Sequence, residues 1–185
     1  MAKKNNWEPT PRHAGASKYP DFERRRPVSG CRHLLKRRDI ERFIDLLPDW
    51  DELAVGITTV VLDDGADDSM GWHDEGFVAI CAWEEELWWL DTVPEFVDQH
   101  RDLFHRLGVD YGKVGPTWVV RWTEGQARAF QLLHIFLHEL GHHHDRMTTR
   151  SKRASARGES YAETYANRYF DRIWEAYLRE FDHEL

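Results

Sequence analysis

The order of hydrophobic and polar residues predicts a short helix, several strands and then longer helices. Apolar residues at positions 40, 43, 44 and 47 share one face of a helix that Pro48 ends. Three segments rich in Val, Ile, Trp and Thr follow, separated by turn-like or charged residues. This pattern is typical of an antiparallel meander over residues 55–62, 76–83 and 87–92. A further helix begins at Val93-Pro94 and ends at Gly108, and residues 117–122 form one more strand.

The last two helices have the clearest patterns. Thr123 and Gln126 form a capping box that begins a helix over about residues 123–147. The middle of this helix is apolar on nearly every face, so we expect it to be central and buried. After a basic, Ser-rich loop over residues 149–158, a last helix over residues 159–181 presents an apolar face. We therefore expect an α+β domain in which a small antiparallel or mixed sheet packs on a central helix.

Length and charge divide the chain into a basic arm and an acidic domain. The 185 residues are 41% hydrophobic, which is enough for the core of one domain. Residues 1–38 carry a net charge of +8, whereas residues 39–185 carry −16. Four prolines and few aliphatic residues fall in residues 1–30, so we expect a mostly extended or disordered arm there and a single domain over residues 31–185. The arm could bind nucleic acid, but a tail that folds back on its own acidic domain is favoured.

Hydropathy and cysteine content exclude several classes of protein. No apolar run is long enough to cross a membrane and the first residues have no leader pattern, so we expect a cytoplasmic protein with no membrane partner. The two cysteines, Cys31 and Cys81, are too few and too far apart for a disulfide framework or a cysteine metal knuckle. Any metal must therefore be held by His and carboxylate side chains.

The central helix contains the sequence His138-Glu139-Leu140-Gly141-His142. Histidines four residues apart lie on one helix face with Cβ atoms roughly 6 Å apart, so both imidazoles can bind one zinc ion. Glu139 then lies beside the metal, where it can act as general base on a metal-bound water. His138 and Glu139 also interrupt an apolar helix, where buried ionisable groups are costly unless a metal or partner satisfies them. The alternative is two solvent-facing histidines at a frayed helix end.

A third ligand is expected downstream of this motif. The metzincin extension requires Gly and His three and six residues after His142, but this chain has Asp145 and Thr148 there. The last helix offers Glu159 and Glu163, which lie about 20° and about 60° from the centre of its apolar face. We predict that Glu159 is the ligand and that Glu163 accepts a hydrogen bond from a ligand histidine. One alternative is that Glu163 is the ligand. The other is that one or both glutamates bind no metal and only stabilise the first turn of the helix through its dipole.

The motif and the segment Glu159-Ser160-Tyr161-Ala162-Glu163-Thr164-Tyr165-Ala166 together resemble the gluzincin clan of zinc metallopeptidases. The segment is similar to the Glu-aromatic-aromatic-Ala-Glu stretch of anthrax lethal factor-type catalytic domains and to the Glu-x-x-Ala-Asn-x-Phe-Ala stretch of ImmA/IrrE-type peptidases. The resemblance implies that Glu159 is the zinc ligand and that Glu163 supports a ligand. Aligning Glu163 with the second stretch instead places Phe170 where that stretch has Ala. Lethal factor types have a tyrosine seven residues before the ligand, where this chain has Lys152, so the oxyanion stabiliser is not identified.

The resemblance also implies a zincin-like fold and an activity. We expect a zinc-dependent peptidase that hydrolyses a peptide or protein substrate, with Glu139 as the general base. The alternative is a catalytically silent protein of the same fold, which uses its metal or its basic arm to recognise nucleic acid or a protein partner. An intact Glu139 favours the enzyme.

The remaining histidines and the tryptophans have simpler interpretations. His134 faces an apolar run, so we expect a satisfied core histidine. His143 and His144 either bind substrate or face solvent at the end of the central helix. The tryptophans are expected to pack on the sheet: Trp83, Trp88, Trp89, Trp118 and Trp122.

Overall fold

A computed structural model describes residues 17–66, 69–149 and 157–181. These residues form a mixed α+β structure, as predicted at the level of α+β class. None of the helices in this part of the chain is both long enough and apolar enough to cross a membrane. The helices are α1 (Arg37–Leu46), α2 (Trp50–Leu53), α3 (Pro94–Leu107), α4 (Glu124–Phe130), α5 (Leu137–Thr148) and α6 (Glu159–Phe181), with a π-helical segment (Gln131–Phe136) between α4 and α5.

The strands form three small sheets. They are β1 (Asp21–Arg24), β2 (Cys31–Arg32), β3 (Thr59–Asp63), β4 (Gly71–Asp74), β5 (Phe77–Cys81), β6 (Trp83–Glu84), β7 (Trp88–Thr92), β8 (Asp110–Val114) and β9 (Thr117–Arg121). The first sheet has the order β1-β3-β5-β4, the second pairs β2 with β6, and the third has the order β7-β9-β8. In the first sheet β3 is parallel to both β1 and β5, and β4 is antiparallel to β5.

The predicted antiparallel meander is wrong. β3 and β5 lie side by side and run parallel, and β7 belongs to another sheet. The reason is β4, which lies in a segment that the sequence pattern assigned to a turn. After β3 the chain forms β4 at the edge of the sheet and then turns back to form β5 between β3 and β4. Because β4 is antiparallel to β5, β5 runs in the same direction as β3. The sequence of β4, Gly71-Trp72-His73-Asp74, is too short and polar to show an alternating apolar pattern.

β1 falls within the segment predicted to be the basic arm, of which residues 1–16 lie outside the described residues. It pairs in parallel with β3 over its whole length. Just before β1, the Tyr19 hydroxyl donates a hydrogen bond of 2.9 Å to the carboxylate of Asp45 on α1. Residues 19–24 are therefore attached to the folded domain, and β1 is an edge strand of its main sheet.

The central helix is continuous from α4 through the π-helical segment to α5. It begins at the predicted capping box, in which Thr123 Oγ1 accepts from the Gln126 backbone N–H at 3.1 Å and Gln126 Oε1 accepts from the Thr123 N–H at 2.9 Å. All six residues of the π-helical segment are buried. β4 and β5 contact one side of this helix, and α6 packs against its C-terminal half. Polar side chains of α5 are therefore enclosed between the main sheet and α6.

Four of the five tryptophans pack as predicted. Trp83 stacks on Trp89 with ring centroids 4.8 Å apart, and Trp122 lies 5.3 Å from each of them. Trp118 is partly buried against the core. Trp88 differs, because 52% of its surface is exposed. It lies on β7 with the guanidinium of Arg121 over its ring.

Candidate metal centre

His138, Glu139 and His142 lie in the first two turns of α5. The π-helical segment ends at Phe136, so regular α-helical geometry is restored before the motif begins. The two imidazoles consequently lie on one face, with ring centroids 4.8 Å apart. Glu139 and His142 are buried, and His138 is half-buried. The side-by-side arrangement expected from the spacing of four is present.

Three donor atoms converge on this face of α5. The Nε2 atoms of His138 and His142 are 3.1 Å apart. A carboxylate oxygen of Glu159 lies 3.0 Å from the Nε2 of His138 and 3.4 Å from that of His142. Ligand atoms held about 2.0 to 2.1 Å from a tetrahedral ion are separated by roughly 3.3 Å, and the three observed distances lie around that value. These residues are therefore close enough together to hold one metal ion.

A second group of three residues shares His138. Atoms of His134, His138 and Glu163 also lie within 4.8 Å of one another. However, the Nε2 of His134 is 2.9 Å from the Nε2 of His100, whose Nδ1 lies 2.7 Å from the Phe96 carbonyl oxygen. Because that Nδ1–H donates to the carbonyl, the Nε2 of His100 is an acceptor and the Nε2 of His134 carries a proton. A protonated nitrogen cannot bind a metal, so the group containing Glu159 is the better candidate.

His134 is the satisfied core histidine that the sequence predicts. It is 6% exposed, and burial together with the nearby His100 lowers its pKa to about 3. Burial likewise lowers the pKa of His100. Both imidazoles are therefore neutral near pH 7, and three of their four nitrogens form one hydrogen-bonded chain that ends on the Phe96 carbonyl.

Glu163 lies behind His138. One of its carboxylate oxygens is 3.4 Å from the Nδ1 of His138 and 3.8 Å from the Nε2 of His134. Burial raises the pKa of Glu163, but the interaction with His138 and the neighbouring histidines outweigh it, so the net pKa is below the usual value. An ionised carboxylate beside Nδ1 favours the proton there, which leaves the Nε2 of His138 free to bind a cation. This is the position predicted for Glu163.

A close approach between α5 and α6 brings Glu159 to the histidines. A Cβ atom on Gly141 would lie only 2.8 Å from the Cα and 3.0 Å from the carbonyl oxygen of Ala162. Ala162 follows Glu159 by about one turn, so this contact determines where Glu159 stands above the histidines. The buried carboxylate of Asp145 also accepts a hydrogen bond of 2.7 Å from the backbone N–H of Arg157, just before α6 begins. Glu159 is thus positioned by backbone packing, although its own side chain is 81% exposed.

We expect Gly141→Ala to weaken metal binding at this face of α5 by about 10- to 100-fold, because the added methyl group separates α6 from α5. Gly112→Ala is the matched control, since a Cβ atom there would have no neighbour within 4 Å. Titration of each metal-free variant with zinc checks the expectation. Wild-type affinity in Gly141→Ala would show that the approach of the two helices does not position Glu159.

Glu139 packs under the edge of the main sheet. A Cβ atom on Gly71 of β4 would lie 3.1 Å from the Cγ of Glu139 and 2.7 Å from the Cγ2 of Ile135, so only glycine fits there. Burial raises the pKa of the Glu139 carboxyl to about 7, with His138 lowering it and Glu159 raising it to a smaller extent. A carboxyl group with a pKa near the working pH can both accept and release a proton.

The raised pKa makes the stability of the metal-free protein depend on pH. Glu139 ionises near 4.5 when unfolded but holds its proton to about pH 7 when folded. The folded state therefore binds more protons in this window, and the resulting stabilisation is present below pH 4.5 and is lost as the pH rises through 7. Since glutamine stays neutral, we expect Glu139→Gln to stabilise the metal-free protein at pH 8 by on the order of 3 kcal/mol and to have little effect at pH 4. Urea unfolding at both pH values tests this, and an equal change at both would contradict it.

A cavity of about 340 Å³ opens over these side chains. Its far wall is formed by four residues on or next to β4: Ser69, Gly71, Trp72 and His73. β4 is the edge of the main sheet, and no other strand of the described residues pairs with its outer side. Burial, and to a smaller extent the nearby His143, lowers the pKa of His73 to about 3, so this side chain is neutral. The cavity therefore lies between a group of side chains that are close enough together to hold a metal ion and an open strand edge.

Several residues of the site were not identified from the sequence. Gly71 and His73 gave no signal because β4 itself was not predicted. His100 lies on the apolar face of α3, and a polar residue on such a face is a signal that could have identified it. The expectation that His143 binds substrate or faces solvent is wrong, whereas His144 is partly exposed. His143 is 1% exposed and donates to the Val55 carbonyl at 2.9 Å, and His144 Nδ1 lies 2.6 Å from the Tyr161 hydroxyl.

Comparison with known proteins adds no relative. No protein-family model, no curated protein and no solved structure matches this chain. The function must therefore be inferred from the chemistry of the site itself. Two histidines, a glutamate that completes their triangle and a buried carboxyl group beside them are the features that an account of function has to explain.

Proposed function

We propose that this chain is a zinc-dependent peptidase of zincin-like fold, with zinc held by His138, His142 and Glu159. The observation that carries the proposal is the triangle of donor atoms with a buried, non-ligating carboxyl group next to it. Two imidazoles and one carboxylate suit zinc better than magnesium or calcium, which prefer oxygen ligands. Three protein ligands also leave a fourth position for water, which is the arrangement of a catalytic site and not of a structural one.

The donor atoms themselves support a bound cation. If both His138 and His142 carry their protons on Nδ1, that of His138 toward Glu163, their Nε2 atoms face each other as lone pairs at 3.1 Å. Two lone pairs and a carboxylate oxygen at such separations repel one another unless a positive charge lies between them. A metal ion supplies that charge, and the residues present fit the group that the sequence implies.

The residues of the site have separate roles in the proposed reaction. When bound, zinc polarises the scissile carbonyl and lowers the pKa of a coordinated water to about 7. Glu139 takes a proton from the attacking water and passes it to the leaving amine, for which its place in the cavity beside the three donor residues is suited. Glu163 holds His138 in the tautomer and orientation that ligation requires. The open edge of β4 offers backbone N–H and C=O groups along which an extended peptide can pair.

The proposal is tested by incubating zinc-loaded protein with a diverse peptide library and identifying products by mass spectrometry. We expect cleavage that is abolished by a zinc chelator and restored when zinc is added back. Cleavage that persists in chelator would show that zinc is not involved. If fully zinc-occupied protein cleaves nothing, the peptidase proposal is wrong and the silent binding protein becomes the better account.

A further inference from the structure

A second and larger cavity lies next to the cavity over His138, Glu139, His142 and Glu159. Its volume is about 480 Å³, compared with about 340 Å³ over the metal-binding side chains. Ser69 lines both cavities, Met70 lines the larger one and Gly71 the smaller one. The residues that lead into β4 therefore join the two cavities along one continuous line of backbone. A peptide paired with the edge of β4 passes both.

The walls of the larger cavity are mostly aromatic and apolar. Trp83, Trp88, Trp89 and Phe96 line it together with Met70 and Val93. Trp83 lies 4% exposed in the floor, while Trp88 and Val93 are 52% and 59% exposed. Large apolar side chains exposed at the rim of an apolar cavity are costly in water and typical of a binding surface.

Charge at this cavity limits what it can accept. Among the described residues that line it, Glu84 is the only one with a charged side chain. Glu84 is exposed and is the one charged group of this described lining that a basic side chain could pair with, so a charged side chain loses most of its hydration on entering the cavity. An acidic side chain is the least favoured because Glu84 repels it. A large uncharged apolar or aromatic side chain has neither cost and gains from burial.

We propose that this cavity is the specificity pocket of the peptidase and that it receives one large apolar side chain of the substrate, from a residue close to the scissile bond. The inference rests on the proposed function, since the peptide is the occupant that passes from one cavity to the other. Burial of such a side chain favours its substrates by roughly 10- to 100-fold in kcat/KM over substrates with alanine at the same position.

Val93 and Val114 provide a matched pair of variants for the test. Both are exposed valines, at 59% and 58%, but Val93 lines the cavity and Val114 lies at the end of β8, away from its lining. Val93→Glu places a negative charge at the rim and Val93→Lys a positive one, and neither changes the core. Val114→Glu places the same negative charge elsewhere on the surface. Circular dichroism confirms that each variant keeps its fold.

The readout is the residue preference at each position around the cleaved bond, measured with a peptide library and zinc-loaded protein. We expect wild-type protein and Val114→Glu to prefer Phe, Tyr, Trp or Leu at one fixed position. In Val93→Glu, we expect the preference for these residues to fall roughly 10-fold and basic residues to become favoured at that substrate position. In Val93→Lys, we expect acidic residues to become favoured there instead. A reversal of preference with the sign of the charge is not produced by a merely structural effect.

Two results would overturn the inference, and only one of them would also overturn the proposed peptidase function. Cleavage with no apolar preference at any position, or with the same preference in all variants, contradicts the pocket and leaves the peptidase in place. If fully zinc-occupied protein cleaves no peptide, the peptidase proposal is wrong, and so is the proposal that a substrate side chain occupies this cavity.

Discussion

Replacing Glu139 with glutamine is expected to leave zinc bound and to lower peptide hydrolysis by about 10²- to 10⁴-fold. Glutamine keeps the shape of the side chain but cannot accept a proton from the attacking water. Because Glu139 lies beside the triangle of His138, His142 and Glu159 without belonging to it, the metal content should not change. Zinc analysis and initial rates on a peptide that the wild-type protein cleaves provide the two measurements.

Glu175→Gln is the matched control, because Glu175 is an exposed glutamate on α6 far along the helix from Glu159. It should hydrolyse the peptide at the wild-type rate. A Glu139→Gln variant that keeps wild-type activity would show that another group moves the proton. A variant that loses zinc together with activity would show that Glu139 helps to hold the metal.

Glu159→Gln is expected to lose zinc almost completely, whereas Glu163→Gln should weaken zinc binding by only about 10- to 100-fold. Glu159 provides one of the three donor atoms, and its oxygen lies 3.0 and 3.4 Å from the two histidine nitrogens. Of the two histidines proposed as ligands, Glu163 contacts only His138, at its far nitrogen and at 3.4 Å. Its loss frees the imidazole to rotate and to change tautomer but removes no ligand.

The two variants control for each other, because both replace one glutamate with glutamine on the same helix. Competition with a fluorescent zinc chelator measures both affinities on one scale. If Glu163→Gln lost zinc and Glu159→Gln retained it, the ligand would be Glu163, and the alternative group with His134 and His138 would be the metal site.

The helices that carry the site could be predicted because their signals are local. The capping box of Thr123 and Gln126, the apolar periodicity of α6 and the spacing of four between His138 and His142 each lie within one helix. The helical wheel placed Glu159 nearer the apolar face of α6 than Glu163, but the Glu159 side chain is 81% exposed and that of Glu163 37%, so the wheel did not predict their burial. Residues in one helix keep the same relative geometry in almost any fold, so these predictions did not require the tertiary structure.

The sheet and the surroundings of the site could not be predicted because they depend on distant contacts. β4 has no alternating pattern, and its pairing with β5 decides that β5 is parallel to β3. The approach of Gly141 to Ala162 and of Gly71 to Glu139 depends on which elements become neighbours in space. Short strands and close backbone contacts are set by their partners, and a single sequence contains little information about those partners.

The most direct test of the account is a crystal structure of zinc-soaked protein with anomalous diffraction recorded on both sides of the zinc edge. We predict one zinc peak per chain, about 2.0 to 2.2 Å from the Nε2 atoms of His138 and His142 and from a carboxylate oxygen of Glu159, with Glu139 close by but not bound. A peak between His134, His138 and Glu163, or no peak at this face of α5, would contradict the account.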